Sequence, residues 1–545
     1  MGAPTPVGQH RAWSGEVTEK LRIQLGQHHK SMLTMTIPQA LEWAASVWAD
    51  KVAISFVHAS DVLTYHQLAG TVAGLRTGLA SRGLRPGDRV GIMIPNQVEF
   101  PLAWLAVIDA GAVAVPLNPK YTRREIEFVL GDTAASWLIT TQGLLSAHQA
   151  ATFAPVPEGH VVVVGDTIPG VHRFADLLST PPEQRRNEAN RQDLVSIQFT
   201  SGSTGLPKGC MLTHEYWLEL GVYSAAVFFD PQHLLADHPF YYMQNQAYFM
   251  MALAAGGQLH VTPGLSRSKF MAWLLDNDID FVWIDEGLLD YPPSDADHRL
   301  KLKHAPMAAI PPALHRPLEE RFGLKARDWY ASTEAGAGTF VPWERDDLVG
   351  SGSMGLCWPT RETKIVDSDL RELPPGVAGE MLIRGTGMML GYWNRPDANG
   401  ELMLPGGWFR TGDIVRKGAD GLHFYVGRTR DIIRRSGESI AAIEVEQQIL
   451  AMPEVMDIAV VPVPDRDRGE EAKAIVVLHD GKVVSAAEIT SWASDRLAPF
   501  KVPRYIEFRS ELPRTGNGKI AKARLRTEPP FPDGVIDTRE AQAAR

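Results

Sequence analysis

From Ile37 onward the chain switches repeatedly between two hydrophobic periods. Stretches such as IPQALEWAASV (37–47) repeat apolar residues at helical spacing, whereas RVGIMI (89–94), AVAVPL (112–117), SWLITT (136–141) and HVVVVG (160–165) are short β-branched runs of strand length. The alternation predicts parallel α/β layers. LAWLAVIDAGAVAVPLNP (102–119) reads as a buried helix, a glycine turn and a buried strand, and YTRREIEFVLGDT (121–133) as a capped helix. Both fit a doubly wound sheet.

Between Pro359 and Arg428 the texture changes to short strands, TKIVDSD, GEMLIRG and HFYVGR, broken by PPG, PGG and DG turns, which predicts a small β-rich subdomain. Past Arg428 the α/β alternation resumes in EVEQQILAMPEV, DIAVVPV, AKAIVVLHD, AAEITSWASDRL and YIEFRSEL, a unit of ordinary domain size. The expected division is a large unit over 1–428, a small one over 429–527 and a tail, 528–545, that has little to bury and is expected to be disordered.

Length agrees with this division, since 545 residues exceed what one core accommodates. Charge narrows the partners: 54 basic against 64 acidic side chains give −10, which argues against a broad nucleic-acid-binding face. Two cysteines, Cys210 and Cys357, form neither a disulfide framework nor a zinc spacing, so folding needs no oxidising compartment and the cytoplasm is the expected location. No window approaches 18 uninterrupted apolar residues, and the first residues carry no signal-peptide core, so no stable membrane association is expected.

The chemistry concentrates first in TSGSTGLPKG (200–209), three glycines, four hydroxyls and a lysine directly after the apolar run LVSIQF. A glycine-rich turn after a strand can aim backbone N–H groups at an anion while hydroxyls and lysine add donors, so phosphate is the expected guest. CMLTHEYWLELGVYSAA (210–226) reads as the helix that follows. The loop is not a Walker A sequence, because Lys208 lies between Pro207 and Gly209 and lacks the following Ser or Thr that would hold magnesium.

Together with WYASTEAG (329–336), GEMLIRGTGMMLGYWNRP (379–396), WFRTGD (408–413), GRTRDIIRRSGESIAAIEVE (427–446) and LPRTGNGKI (512–520), in that order, this loop resembles the adenylate-forming superfamily, which includes acyl-CoA synthetases. The resemblance covers most of the chain. It implies an N-terminal domain of two doubly wound α/β subdomains with a β-barrel-like one, and a small mobile α+β C-terminal domain. It further implies adenylation of a carboxylic acid by ATP with Mg2+, release of pyrophosphate, and transfer of the acyl group to coenzyme A.

By that resemblance Thr200, Ser201, Gly202, Ser203, Thr204, Gly205 and Lys208 would embrace the β- and γ-phosphates. Glu334 would hold Mg2+, Thr333 would meet the α-phosphate, and Tyr330, with Ser332 nearby, would contact adenine. Ala331 stands where the family usually has Gly. Asp413 and Arg428 would bind the ribose, and Lys519 would reach the reacting carboxylate. The hinge position is occupied by Arg430, where Asp or Lys is usual. In a second pose Gly437 would line the pantetheine tunnel, with Arg434, Arg435, Lys501 or Arg504 meeting CoA phosphates.

The acyl pocket is expected after the phosphate loop, where Tyr242 replaces a frequent His beside Gln244 and Asn245, and at FVWIDEGLL, with Trp283, Asp285 and Glu286. That mixture favours a small polar or aryl acid over a long aliphatic one. The two carboxylates suit a betaine-like tail or, equally, a capped helix start in water. The texture of DADHRLKLKH and FKVPRYIEFRSELPRTGNGKI is similar to the crotonobetaine/carnitine-CoA ligase type. The alternative activity is a free-standing enzyme that loads an acyl-carrier protein; monomer and homodimer both remain open.

Overall fold

The computed structural model describes residues 21, 23–166, 168–178, 180–183, 189–200, 207–308, 310–435, 438–466, 468–515 and 519–539, with side chains for all of these except Arg430, Ile432, Arg434, Glu438 and Ser439. The β-branched runs become the parallel strands of a seven-stranded sheet. Its order is His172–Arg173, Val161–Val164, Trp137–Thr141, Arg89–Met93, Val113–Pro116, Leu194–Thr200, Lys208–Thr213, and only the last pairing is antiparallel. The Glu99–Asp109 helix is buried on nearly every face, which is why its sequence lacks a polar stripe. Thr122 caps the Arg123–Asp132 helix: its N–H donates to Glu125 Oε2 at 2.7 Å while its side chain accepts from the Glu125 N–H.

A second α/β layer is built on a four-stranded sheet, His233–Ala236, Gln258–Val261, Val52–Phe56 and Val62–Thr64. It shares with the first a core that runs from Leu21 through Trp104, Trp217 and Phe249 to Phe409. The third sheet is mixed and nine-stranded. It begins at His304–Met307 and Lys325–Ser332 and continues through the β-rich stretch expected after Pro359, where Ala378–Gly385 pairs with Arg361–Val366 and with Trp408–Lys417. These are the α/β layers and β-rich subdomain expected of the large unit.

Beyond Arg428 a six-stranded sheet packs two helices, Ala442–Leu450 and Ala486–Ser494, over a core of its own that includes Val445, Val460, Ala474, Ile489 and Ile506. The tail corrects the expectation of disorder over 528–539. Ile536–Asp537 adds an antiparallel edge strand to Tyr505–Phe508, and Lys473 Nζ donates to Pro530 O at 3.0 Å. Thr538 is buried. Short polar tails can be held by strand pairing and ion pairs without an apolar face.

One element was misread. Lys208–Thr213 is a strand antiparallel to Leu194–Thr200, and the helix starts only at His214, capped by Thr213 accepting from Tyr216 N at 3.2 Å. The phosphate-type loop therefore closes a strand–loop–strand hairpin. Among the described residues no helix is long and apolar enough to cross a membrane.

Candidate active site

The Leu194–Thr200 strand ends at Thr200, the Lys325–Ser332 strand runs into the turn of Thr333 and Glu334, and the 389–393 segment is hydrogen-bonded both to that turn and to the Lys208–Thr213 strand. Thr200 closes the first strand in register with Lys208, and its hydroxyl lies 3.4 Å from Lys208 O. Ser201, Gly202, Ser203, Thr204 and Gly205 lie outside the described residues. Lys208 is described: its ammonium stands 5.3 Å from the centre of the Tyr392 ring.

The same Tyr392 donates its hydroxyl to Glu334 Oε1 at 2.8 Å, so one side chain presents its face to the lysine and its edge to the carboxylate. The backbone repeats this connection. Met211 N donates to Gly391 O at 3.0 Å, Trp393 N to Gly209 O at 2.8 Å and Met389 N to Glu334 O at 3.0 Å, lacing the loop's return strand to the Glu334 turn. Ser332 Oγ accepts from Ala335 N at 3.1 Å, closing that turn, and the buried Tyr216 hydroxyl donates to Thr333 O at 3.0 Å. The Glu334 carboxylate is a hard oxygen ligand of the kind Mg2+ takes, half-exposed, with only its Oε1 engaged by Tyr392; the residues fit such an ion.

Asp413 sits on the Trp408–Lys417 strand and is 2% exposed. Tyr330 donates its hydroxyl to Asp413 Oδ2 at 2.6 Å, and Arg428 Nε lies 2.9 Å from Oδ1, in register across the strand pair. Burial, reinforced by the Asp413 charge, pushes the Tyr330 phenol far above its ordinary value, so the phenol stays protonated and donates. Desolvation opposes the Arg428 charge, but Asp413 together with Tyr425 and Tyr330 outweighs it, and the guanidinium is held more firmly protonated.

Lys519 belongs to the C-terminal unit, on the return limb of a hairpin whose Thr515 N donates to Lys519 O at 2.7 Å. Crowding by the cleft walls and the nearby Arg428 charge lower its pKa, while Asp413 acts in the opposite sense. Lys519 is exposed and stands close enough to Arg428 and Asp413 to feel both charges.

The other expected residues separate. Tyr242 lies against Tyr241, with ring centres 4.6 Å apart, and Gln244 Nε2 donates to the Tyr248 hydroxyl at 2.9 Å. Trp283 heads a stack of three indoles, 6.0 Å from Trp329, which is 5.7 Å from Trp358. Asn245 is fully buried, and its Nδ2 donates to His238 O. Asp285 and Glu286 are exposed, and Asp285 caps a short 3-10 turn by accepting from Gly287 N at 2.9 Å. The capped-start reading describes them.

Three of the four candidate CoA-phosphate cations are occupied. Arg435 is buried on Glu471 at 2.7 Å, Lys501 meets Glu444 at 2.6 Å, and Arg504 bridges Asp465 and Asp537 at 2.8 Å each. Gly437 and the side chains of Arg434 and Arg430 lie outside what is described. Sequence reasoning missed Tyr392 and Tyr216 as partners of Glu334 and Thr333. Tyr392 stood inside a quoted motif, GYW, whereas Tyr216 looked like one more apolar helix position.

Among the described residues one trio of metal-ligating side chains meets, His28, His29 and Asp230, in the N-terminal segment. Gly26 N donates to His29 Nδ1 at 3.2 Å, so His29 carries its proton on Nε2 and gives it to Asp230 at 2.8 Å. Both His29 nitrogens are used, in hydrogen bonds that tie the N-terminal segment to Asp230.

Residues 41–393 match the AMP-binding enzyme family, and residues 444–519 match the AMP-binding enzyme C-terminal domain. A long-chain-fatty-acid–CoA ligase of Bacillus subtilis is 30% identical, covering 92% of this chain and 96% of its own length. A crotonobetaine/carnitine–CoA ligase of Salmonella arizonae is 28% identical over 88% of this chain and 97% of its own. A solved anthranilate CoA ligase in complex with anthranoyl-AMP superposes with a TM-score of 0.80 at 25% identity, covering 94% and 99% of the two chains.

Proposed function

The chain belongs to the AMP-binding enzyme family, as an AMP-forming acyl-CoA synthetase, and from that premise we propose that it activates a small polar or aryl carboxylic acid. The acid attacks the α-phosphorus of ATP, pyrophosphate leaves, and the acyl-adenylate passes its acyl group to the CoA thiol, releasing AMP. The observation that carries the reading is the convergence of Tyr330 and Arg428 on the buried Asp413 carboxylate, with Lys519 near enough to feel the charges of both Arg428 and Asp413.

In this reading Asp413 accepts the ribose hydroxyls and Tyr330 flanks the adenine. Lys208 and the Thr200 loop take the β- and γ-phosphates. Glu334 holds Mg2+, which neutralises triphosphate charge when bound. Lys519 places a positive charge beside the carboxylate and α-phosphate oxygens as negative charge moves between them. We divide the chain functionally after Arg428, with Arg430 as the hinge that exchanges the Lys519 face for the Gly437 face.

For the acid, the three-indole stack beginning at Trp283 and the Gln244–Tyr248 hydrogen bond support a compact pocket with a polar contact. The exposed, cap-forming Asp285 gives a betaine-like tail little support.

The test is pyrophosphate exchange with ATP, Mg2+ and a panel of short aliphatic, hydroxylated, betaine-like, aryl and long-chain acids, followed by mass detection of acyl-CoA. Exchange and acyl-CoA with aryl or short polar acids is the expected result. Exchange that never yields an acyl-CoA, but does load a carrier protein, would replace CoA as the acceptor. Preference for long-chain acids would overturn the pocket assignment.

A further inference from the structure

Arg361 is the first residue of the Arg361–Val366 strand and is 3% exposed. Every arm of its guanidinium is spent on backbone oxygens beyond the sheet ladder. Nε and Nη2 donate to Ala335 O at 2.9 and 2.6 Å, Nη2 also to Gly387 O at 3.0 Å, and Nη1 to Thr386 O and to Thr360 Oγ1, the latter at 2.8 Å. Ala335 closes the turn that carries Thr333 and Glu334; Thr386 and Gly387 begin the loop that runs on to Met389 and Tyr392, the two residues that grip Glu334.

The surroundings are shaped for this side chain. A Cβ at Gly385 would meet Thr360 O at 2.0 Å and Arg361 Nη1 at 3.0 Å, and one at Gly336, whose φ is +63°, would meet Nη2 at 3.3 Å. The acidic group nearest in effect is Glu219, buried on the His214–Val227 helix: burial pushes its carboxyl up to about 7 while the Arg361 charge favours its ionised form, its Oε2 accepts from Thr386 Oγ1 at 2.9 Å, and a Cβ at Gly387 would fall 2.5 Å from that oxygen. Neither residue lies in any of the motifs that identify the adenylating site, and neither reaches the cleft.

We infer that Arg361, balanced by Glu219, is a positioning residue for the adenylating centre: it pins the Thr333–Ala335 turn to the Thr386–Gly387 turn and so fixes the aim of the Glu334 carboxylate. The inference rests on the proposed role of Glu334 toward Mg2+ and the triphosphate. The forked, planar donor set is what the arrangement requires, because three carbonyls on two separate turns are bridged by one rigid group. A lysine at 361 supplies the charge without the fork.

The test compares Arg361→Lys and the charge-balanced double variant Arg361→Met/Glu219→Gln with wild type in four measurements. These are melting temperature, Mg2+-dependent binding of a fluorescent ATP analogue, single-turnover acyl-adenylate formation, and thioester formation from supplied acyl-adenylate. In folded variants, half-saturating Mg2+ for nucleotide binding should rise about tenfold, as when a ligand's supporting contact is lost. Adenylation should slow roughly 10- to 100-fold, with thioester formation within about twofold of wild type. Unchanged Mg2+ dependence in a folded variant, or equal loss in both half-reactions, overturns the inference.

Should both variants fail to fold, Arg361→Gln, which keeps a donor at the site and removes the fork, carries the same comparison with the same two outcomes. A wild-type enzyme that adenylates no acid would sink the proposed function, while the Mg2+-dependent nucleotide binding would still decide the role of Arg361.

Discussion

The Tyr330 hydroxyl donates a 2.6 Å hydrogen bond to Asp413 Oδ2, joining the turn that carries Glu334 to the strand that carries the ribose-type carboxylate. The acceptor is charged and buried, and bonds of that kind contribute about 1.5–3 kcal/mol. Tyr330→Phe keeps the ring and removes the bond. AMP affinity, measured by calorimetry, should fall roughly 10- to 150-fold, with KM for ATP rising in parallel and KM for the acid little changed. An unchanged AMP affinity would show that the bond does not orient Asp413 for the nucleotide.

The α/β layers were readable because their strands are buried on both faces and their helices begin with capping boxes such as Thr122 with Glu125. The hairpin return Lys208–Thr213 was not, since no glycine or proline separates KGCMLT from the helix after it; the one usable sign was Thr213 as a cap. Asn245 is ambiguous from sequence because a carboxamide amid apolar residues can face a ligand or bond backbone, and its Nδ2 does bond the His238 carbonyl. Asp413, Arg428, Glu334 and Lys519 were found through motif order. Arg361 and Glu219 gave no local signal, because the contacts that explain them span 26 residues in one case and 167 in the other.

The tail pairing predicts a stability cost for deleting residues 528–545. Lys473 is 1% exposed, paired with Glu507 at 3.0 Å, and it also donates to Pro530 O at 3.0 Å. Removing that acceptor leaves a buried ammonium donor unsatisfied, which costs about 1–3 kcal/mol, and Arg504 loses Asp537 as well. Thermal unfolding of the truncated chain should fall by several degrees, and amides of Tyr505–Phe508 should exchange faster. Unchanged exchange there would show that the edge strand is not formed in solution.

Acid sensitivity has a named contributor in His423. Burial lowers its pKa to about 4, and its ring joins Gly355 O at 3.0 Å to the Thr363 hydroxyl at 2.8 Å. A base whose folded pKa lies below its unfolded value of 6.5 stabilises the fold fully above about pH 6.5. That stability is lost as pH falls from there toward about 4, a span worth roughly 3 kcal/mol. Urea unfolding of wild type should therefore weaken more steeply between pH 7 and pH 5 than that of His423→Gln. Parallel slopes would remove His423 from the account.

Trp283 ends the indole stack on the side of Gln244 and Tyr248, whereas Asp285 and Glu286 stand in solvent two and three residues on. Trp283→Ala should extend the accepted acids toward bulkier ones and raise KM for the best small acid by roughly an order of magnitude, as for loss of a buried aromatic contact of about 1–1.5 kcal/mol. Asp285→Asn and Glu286→Gln should leave KM within about twofold. A charge-dependent loss of one acid in either carboxamide variant would place these carboxylates at the pocket after all.

Lys519 allows the two half-reactions to be told apart. It lies near enough to Asp413 and Arg428 to feel their charges, and losing a charge contact to a transition state costs about 3 kcal/mol, or two orders of magnitude in rate. Lys519→Ala should slow acyl-adenylate formation about 100-fold and leave thioester formation from supplied acyl-adenylate near wild type, because the lysine's face is needed only while ATP is attacked. The same crowding and like charge that lower its pKa have a pH consequence. A lysine acting as a cation loses its effect as pH rises through its folded pKa, so the alkaline limb of the first half-reaction should fall at a pH below the ordinary lysine value of 10.5, and the limb should vanish in Lys519→Arg. Equal loss in both half-reactions, or an alkaline limb unchanged in the arginine variant, would mean that Lys519 acts through the fold of its hairpin and not on the reacting phosphate.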